Sequence, residues 1–255
     1  ARQILGERFP GCHLFAPDTI PDELLLVNVC YDKQLVEVQE AGMPVGEDVI
    51  TDRSKLLRLL QWADSLKSYR YILLDVRFPR GLSTETDSAL FRQILSMPRI
   101  VVPDHRDMPM QDSALLAKAG RADYMMFDEE SNFTRYQFLP DRRASLPLRM
   151  YEELCGRTIE PGALGYTDGG RLCSNAVTLR LPVRLPEKFN AEDRLLEYTT
   201  AYLGSQLLEQ REVIPEIDPF KDKIVVVGDF RNDIHTTYAG QQPGSFIALR
   251  RAETT

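Results

Sequence analysis

The sequence lacks both a cationic surface and a run of apolar residues that could cross a membrane. Its net charge is -7, and its lysines and arginines are interleaved with acidic residues instead of forming the basic stripe that nucleic-acid binding needs. No window approaches the ~18 to 20 uninterrupted apolar residues of a transmembrane helix. Residues 1–11 contain Arg2, Glu7 and Arg8 and so lack the apolar centre of a signal peptide. We therefore expect the chain, as given, to be soluble, without a targeting segment and without nucleic acid as a partner.

The common catalytic and metal-binding signatures are also missing. There is no G-x-x-x-x-G-K-[ST] phosphate loop, no G-x-G-x-x-G before a helix and no G-x-S-x-G nucleophile elbow. The cysteines show no C-x-x-C spacing, which argues against a structural zinc site, and we predict no metal and no cofactor. Cys30 ends an apolar run and is predicted to be a buried free thiol. Two disulfides are possible without being implied, and the compartment stays open; the four cysteines are Cys12, Cys30, Cys155 and Cys173.

The apolar residues that are present predict an α/β fold. A chain of 255 residues that is 43% hydrophobic and 27% charged can build a substantial core. Four short apolar runs predict buried strands, namely residues 23–30, 71–74, 99–102 and 224–227. Helical spacing predicts one helix that begins at Thr51 or Asp52 and contains Trp62 on its core-facing side. It predicts a second helix that Thr86 can cap. Strand, helix and strand in sequence favour right-handed crossovers, and hence parallel strand pairs.

We expect a predominantly parallel or mixed central sheet with helices on its faces. The wholly apolar last strand is predicted to lie inside the sheet that the first three begin. One domain should span residues 1–255, with a sheet core over about 20–107 and 213–250 and an inserted mixed subregion over about 108–212. Within that subregion we predict short helices at 113–119 and 146–154, strands at 124–127 and 135–139, a loop at 161–170, an extended segment at 173–183 and a helix at 191–210.

Polar residues follow the predicted strands. Open α/β sheets usually bind ligands at the carboxyl ends of their strands, so these residues are the predicted ligand-binding surface. Charged strand exits are also common as purely structural features, and in that alternative Asp75 or Arg77 pairs with Asp87 or Asp229. The candidate residues are Asp75, Arg77, Asp104, His105, Asp229, Asp233 and His235.

One pattern is similar to a magnesium-dependent phosphatase. A strand that ends at Asp75 and a later G-D-x-x-x-D from 228 to 233 resemble the first and last motifs of the haloacid-dehalogenase-like phosphatases, in which carboxylates hold the metal. That family has a second aspartate two residues after the first, where this chain has Arg77. A guanidinium cannot exchange protons near neutral pH. We therefore predict no catalytic residue and no enzyme activity, and keep the phosphatase as an alternative.

A second resemblance covers most of the chain. Five segments, in this order, resemble the type-2 CHASE domain, an extracellular sensory module of bacterial receptors. Each of them is similar to a strand or helix motif of that family, from an apolar strand before an aspartate to a closing block with a proline-glycine turn. The segments are YILLDVRFP (71–79), TETDSALFRQIL (84–95), RIVVP (99–103), SLPLRMYEEL (145–154) and FKDKIVVVGDFRNDIHTTYAGQQPGSFI (220–247).

The resemblance implies sensing and not turnover. It implies an extracytoplasmic, membrane-anchored module on the periplasmic face of the inner membrane, with flanking membrane helices and an output module in the full-length protein. The signal would be an unidentified small molecule or protein, and a homodimer is possible. In this hypothesis Asp233 and Thr237 form internal hydrogen bonds of their loop, while Arg77 or His235 faces the ligand. A non-catalytic protein-interaction domain is the third alternative.

Overall fold

The computed structural model describes residues 24–127, 129, 133–162, 165–173, 176–178, 200–237, 240–245 and 247–248. The first half contains β1 (Leu24–Asn28), β2 (Lys33–Glu40), β3 (Met43–Thr51), α1 (Arg53–Leu66), β4 (Tyr71–Leu74), α2 (Asp87–Ser96), β5 (Ile100–Asp104), a 3-10 helix (Ser113–Lys118), β6 (Ala119–Arg121) and β7 (Met125–Phe127). The second half contains β8 (Phe133–Gln137), a 3-10 turn (Pro140–Arg142), α3 (Leu146–Cys155), β9 (Ile159–Gly162), β10 (Gly165–Asp168), β11 (Arg171–Cys173), β12 (Ala176–Thr178), β13 (Thr200–Tyr202), a π-helical turn (Leu203–Leu208), α4 (Glu209–Val213), β14 (Ile224–Gly228), β15 (Ile234–Thr237) and β16 (Gly240–Pro243).

A six-stranded parallel sheet forms the centre of the fold. Its order is β13-β1-β14-β4-β5-β6, and every neighbouring pair is parallel. The predicted α/β class is confirmed. The strand β14 lies in the interior of the sheet, as predicted, and all five of its residues are buried. The expected pairing of β1 with β4 is wrong, because β14 lies between them and pairs with both, Ile224 standing opposite Leu24 on one side and Tyr71 on the other.

Helices cover both faces of this sheet. On one face α1, α2 and the π-helical turn pack against alternate strand residues such as Leu25, Val225 and Leu74. On the other face α3 and the last described residues pack against the intervening residues, such as Leu26 and Val226. Burial on both faces explains why these strands are continuous apolar runs and do not alternate with polar residues.

The two predicted crossover helices are present. The Asp52 carboxylate caps α1 by accepting hydrogen bonds from the backbone N–H groups of Ser54 and Lys55, each at 3.0 Å. Trp62 is buried in the core, as predicted, with its ring 4.8 Å from that of Phe220. Thr86 stands at the N-cap of α2 but its side chain makes no capping hydrogen bond.

Two predictions for the middle of the chain are wrong. Most of the expected loop at 161–170 is β-structure, because β9, β10 and β11 form an antiparallel meander. Gly169 and Gly170 have positive φ and make the turn between β10 and β11. Residues 200–202, expected to be helical, form β13 at the edge of the sheet beside β1. Helical structure starts only at Leu203, and residues 191–199 of that prediction lie outside the described residues.

The remaining predictions can be compared where the chain is described. The expected helix at 146–154 is α3, and the expected short helix at 113–119 is the 3-10 helix. The predicted strands at 124–127 and 135–139 correspond to β7 and β8. Within the predicted extended segment 173–183, the structure describes the last residue of β11 and the whole of β12. Cys30 is a buried free thiol, as predicted, and Cys155 is disulfide-bonded.

A hairpin that the sequence patterns did not reveal follows the first strand. Strands β2 and β3 pair with each other and form a separate two-stranded sheet. Their turn contains Ala41 and Gly42, both with positive φ (50° and 80°), as a type I′ turn requires. The usual Asn-Gly or Asp-Gly signature of that turn is absent here. No helix among the described residues has the length and apolarity of a membrane span.

Candidate functional site

The segment after β14 is organised by Asp229. Its carboxylate accepts hydrogen bonds from the backbone N–H of Arg231 at 3.2 Å and of Asn232 at 2.9 Å, and from the ammonium of Lys33 at 2.7 Å. Burial alone would raise the pKa of Asp229, but the hydrogen bonds from Asn232 and Lys33 lower this pKa below its ordinary value. Asp229 is therefore an ionised structural anchor that connects the loop to the base of the hairpin.

Asp75, at the carboxyl end of β4, has the opposite character. Its carboxyl oxygen accepts a hydrogen bond from the Ser245 hydroxyl at 2.6 Å. Burial, reinforced by the negative charge of Asp233, raises the pKa of Asp75 to about 6, against the lowering effect of Ser245, His235 and Arg77. Asp75 is thus a carboxyl group that changes charge close to neutral pH.

A carboxylate–imidazole pair lies beside Asp75. The Nε2 atom of His235 is 3.2 Å from Oδ1 of Asp233. This hydrogen bond to Asp233 raises the pKa of His235, burial opposes the rise, and the charges of Asp233 and Asp75 add to it. We call Asp75, Asp233, His235 and Ser245 the Asp75 cluster. The charges of Asp75 and His235 in this cluster respond to each other and to the nearby carboxylate of Asp233.

Two glycines allow these groups to converge. A Cβ atom at Gly228 would collide with the hydroxyl of Ser245, and one at Gly244 would collide with the carboxylate of Asp233 and lie 3.0 Å from Nε2 of His235. The backbone N–H of Gly244 also donates to the carbonyl of Asp233 at 3.0 Å. The junction of Pro243 and Gly244, where β16 ends, is therefore part of the cluster.

Asp104, at the end of β5, is a structural residue. It is buried, and one of its carboxylate oxygens accepts hydrogen bonds from guanidinium groups of Arg121 and Arg143, each at 2.7 Å. Two cations on one buried carboxylate link β5 to β6 and to the segment before α3. This arrangement agrees with the alternative in which a charged strand exit anchors the fold.

His105 and Arg77 lie on the same edge but make fewer contacts. The Nδ1 atom of His105 is 3.9 Å from a carboxylate oxygen of Asp123, and burial, partly offset by Asp123, lowers the pKa of His105. Arg77 is exposed, and its guanidinium contacts the sulfur of Met108 at 3.8 Å. The alternative in which Arg77 pairs with Asp87 or Asp229 is not seen among the described residues, since the cation beside Asp87 is the buried Arg53, at 3.7 Å, and the cation on Asp229 is Lys33.

Among the described residues, one group of side chains has the spacing of metal ligands. The donor atoms of His105, Asp107 and Asp123 all lie within 4.8 Å of one another. The acids of the phosphatase-like pattern, Asp75, Asp229 and Asp233, do not form such a group in the described part of the chain. Asp75 accepts from a hydroxyl, whereas Asp229 binds an ammonium group, so the two acids have separate structural surroundings.

The structure brings Asp75, Asp233 and His235 together and places Asp104 and His105 at the neighbouring strand exit. The sequence patterns missed Lys33 and Ser245, whose contacts with Asp229 and Asp75 span 196 and 170 residues. The side chain of Thr237 lies outside what is described, so its proposed role stays a prediction. Family models, curated proteins and solved structures contain no match to this chain.

Proposed function

We propose that this chain is the extracytoplasmic sensory domain of a bacterial membrane receptor and that its signal acts at the Asp75 cluster. The observation that carries the proposal is the hydrogen bond from Ser245 to Asp75, because it connects the core sheet to the closing segment of the chain. The resemblance to the type-2 CHASE domain supports the same function, since its motifs fall on β4, α2, β5, α3 and β14.

The cluster is suited to a change of state. Asp75 binds the closing segment, and its own charge changes near neutral pH. In the same segment Ile247 and Ala248 are buried in the core on one face of the sheet. A ligand that favours one charge state of Asp75 would shift the population between two arrangements of that segment. Arg77 and His235 are the flanking cationic groups that a ligand would meet. In the receptor, such a shift would be relayed through the ends of the domain to flanking membrane helices.

The compartment in this proposal has support from cysteine chemistry. Cys155 is disulfide-bonded, and disulfides persist mainly in oxidising compartments such as the bacterial periplasm. A reporter fusion at the end of the domain in the full-length receptor tests the assignment: alkaline phosphatase, which is active only outside the cytoplasm, should be active there. An inactive phosphatase fusion together with a fluorescent cytoplasmic one would contradict it.

A thermal-shift screen tests the binding site. A compound that raises the melting temperature of the wild-type domain should protect Asp75→Asn and His235→Ala less than half as much. Asp222→Asn is the matched control, because Asp222 is exposed and precedes β14 at the opposite edge of the sheet. Equal protection of all four proteins would place the ligand elsewhere and remove the Asp75 cluster from the proposal.

A further inference from the structure

The β2–β3 hairpin has one face turned to the body of the protein and one turned away from it. Val36 and Ile50 are each only 8% exposed, and the backbone N–H of Gln39 donates to the carbonyl of Gly81 at 3.3 Å. Leu35 and Val49, which stand directly opposite each other, are 60% and 58% exposed. Alternation along the strands therefore presents this apolar pair on the outer face.

The hairpin end adds further exposed apolar surface. Met43 is 65% exposed and Val45 is 55% exposed. Exposed apolar side chains that are grouped on one ribbon, and not scattered singly, indicate a contact surface.

The outer face also has a pronounced charge. Glu37 and Glu47 stand directly opposite each other, next to the Leu35–Val49 pair, and like charges in that position destabilise a hairpin. Residues 34–50 contain four acidic residues and no lysine or arginine. Lys33 at the base of the hairpin is bound to Asp229, and no cation of the described residues pairs with Glu37 or Glu47.

We propose that this outer face, formed by Leu35, Glu37, Glu47 and Val49, docks a basic amphipathic helix of a partner protein. Leucine-like side chains would cover the apolar pair while lysines or arginines neutralise the two glutamates. Charge complementarity favours a basic helix over the other possible partners of this face. A second copy of the hairpin would bring the same acids against each other, and an anionic membrane surface would repel them. The docking surface is separate from the Asp75 cluster and does not depend on the proposed sensory function.

Titration of the isotopically labelled domain with a synthetic peptide of about 18 residues tests this proposal. The peptide has leucines on one helical face and lysines flanking them. We expect NMR shifts confined to residues 33–51 and weaker binding at higher salt. Glu37→Lys with Glu47→Lys should weaken binding about tenfold or more, since it replaces attraction by repulsion. Leu35→Ser with Val49→Ser should weaken binding about fivefold at unchanged charge.

The matched control is the double variant Glu209→Lys with Glu216→Lys. It makes the same change in net charge at two exposed positions outside the hairpin, so its affinity should stay within about twofold of wild type. The proposal is overturned if the peptide does not bind, if both charge reversals weaken it equally, or if a glutamate-for-lysine peptide binds as well. A dimer in sedimentation equilibrium that Leu35→Ser dissociates would also overturn it, by assigning the face to a second copy.

Discussion

Asp75 and Asp104 stand at the carboxyl ends of adjacent parallel strands, yet their surroundings have opposite effects. Asp104 is buried and receives two guanidinium groups, each at 2.7 Å, which anchor its carboxylate. Burial and the charge of Asp233 raise the pKa of Asp75 to about 6, although the hydrogen bond from the Ser245 hydroxyl lowers it. The role of a strand-exit aspartate therefore depends on the partners that distant parts of the chain supply.

Removing Asp104 should give the largest effect on stability. Asp104→Ala leaves Arg121, whose side chain is only 13% exposed, with the half-exposed Asp141 at 3.7 Å as its remaining counter-charge. We expect the free energy of unfolding to fall by about 3 kcal/mol, because breaking a buried ion pair leaves a poorly compensated charge. Urea denaturation followed by circular dichroism measures it.

The exposed pair between Arg58 and Glu212 provides the control for that measurement. Glu212 is 65% exposed, so Glu212→Ala should cost less than about 1 kcal/mol. A loss for Asp104→Ala as small as this one would show that the two arginines are adequately solvated without Asp104, and the contrast with Asp75 would then be lost.

Asp75→Asn should have an intermediate effect that depends on pH. The folded state keeps a proton on Asp75 up to about pH 6, whereas the unfolded chain loses it near the ordinary pKa of 3.8. Asp75 therefore makes its full contribution to the stability of the folded state below pH 4, and this contribution is lost as the pH rises through about 6. Asparagine removes that loss, so the variant should match wild type at pH 4 and be about 1–2 kcal/mol more stable at pH 8.

Urea denaturation between pH 4 and pH 8 checks this prediction, with Asp222→Asn as the control that should follow the wild-type profile. His235 contributes a loss of the same sign, because its pKa is also raised; in Asp75→Asn the part due to Asp233 should persist, whereas the part due to the charge of Asp75 should disappear. Parallel stability profiles for the variant and the wild type would mean that Asp75 titrates normally.

The central architecture could be predicted because its signals are local. Apolar runs mark β1, β4, β5 and β14, and the carboxylate of Asp52 marks the start of α1 within three residues. The hairpin was missed because Ala41 occupies a left-handed position that Asn or Asp usually takes. The helix prediction fails at β13 because β13 is extended by pairing with β1, which is distant in sequence.

The candidate site could be predicted only in part, for a related reason. The polar residues after β4 and β14 are visible in the sequence, and parallel pairing places them on one edge. The surroundings of each of them depend on Ser245, on the space at Gly228 and on the arginines beside Asp104, and these are long-range contacts. Spacing along the chain contains no information about such partners.

Lys33→Ala should give the smallest effect and concerns a third aspartate at a strand exit. Asp229 resembles Asp104 in pairing with a cation, but Lys33 is 28% exposed and water can replace much of its interaction. We expect a loss of about 0.5–1 kcal/mol at pH 7. The lowered pKa of Asp229 makes its contribution favourable above the unfolded-state pKa of 3.8, and that contribution is lost as the pH falls through the lower folded-state pKa, so the difference between variant and wild type should shrink as the pH falls below 3.8. Carboxylate NMR titration should show the pKa of Asp229 rising in Lys33→Ala and unchanged in Lys221→Ala, an exposed control. An unchanged pKa in both variants would mean that Asn232 and the loop backbone alone keep Asp229 ionised, without the cation that Lys33 supplies.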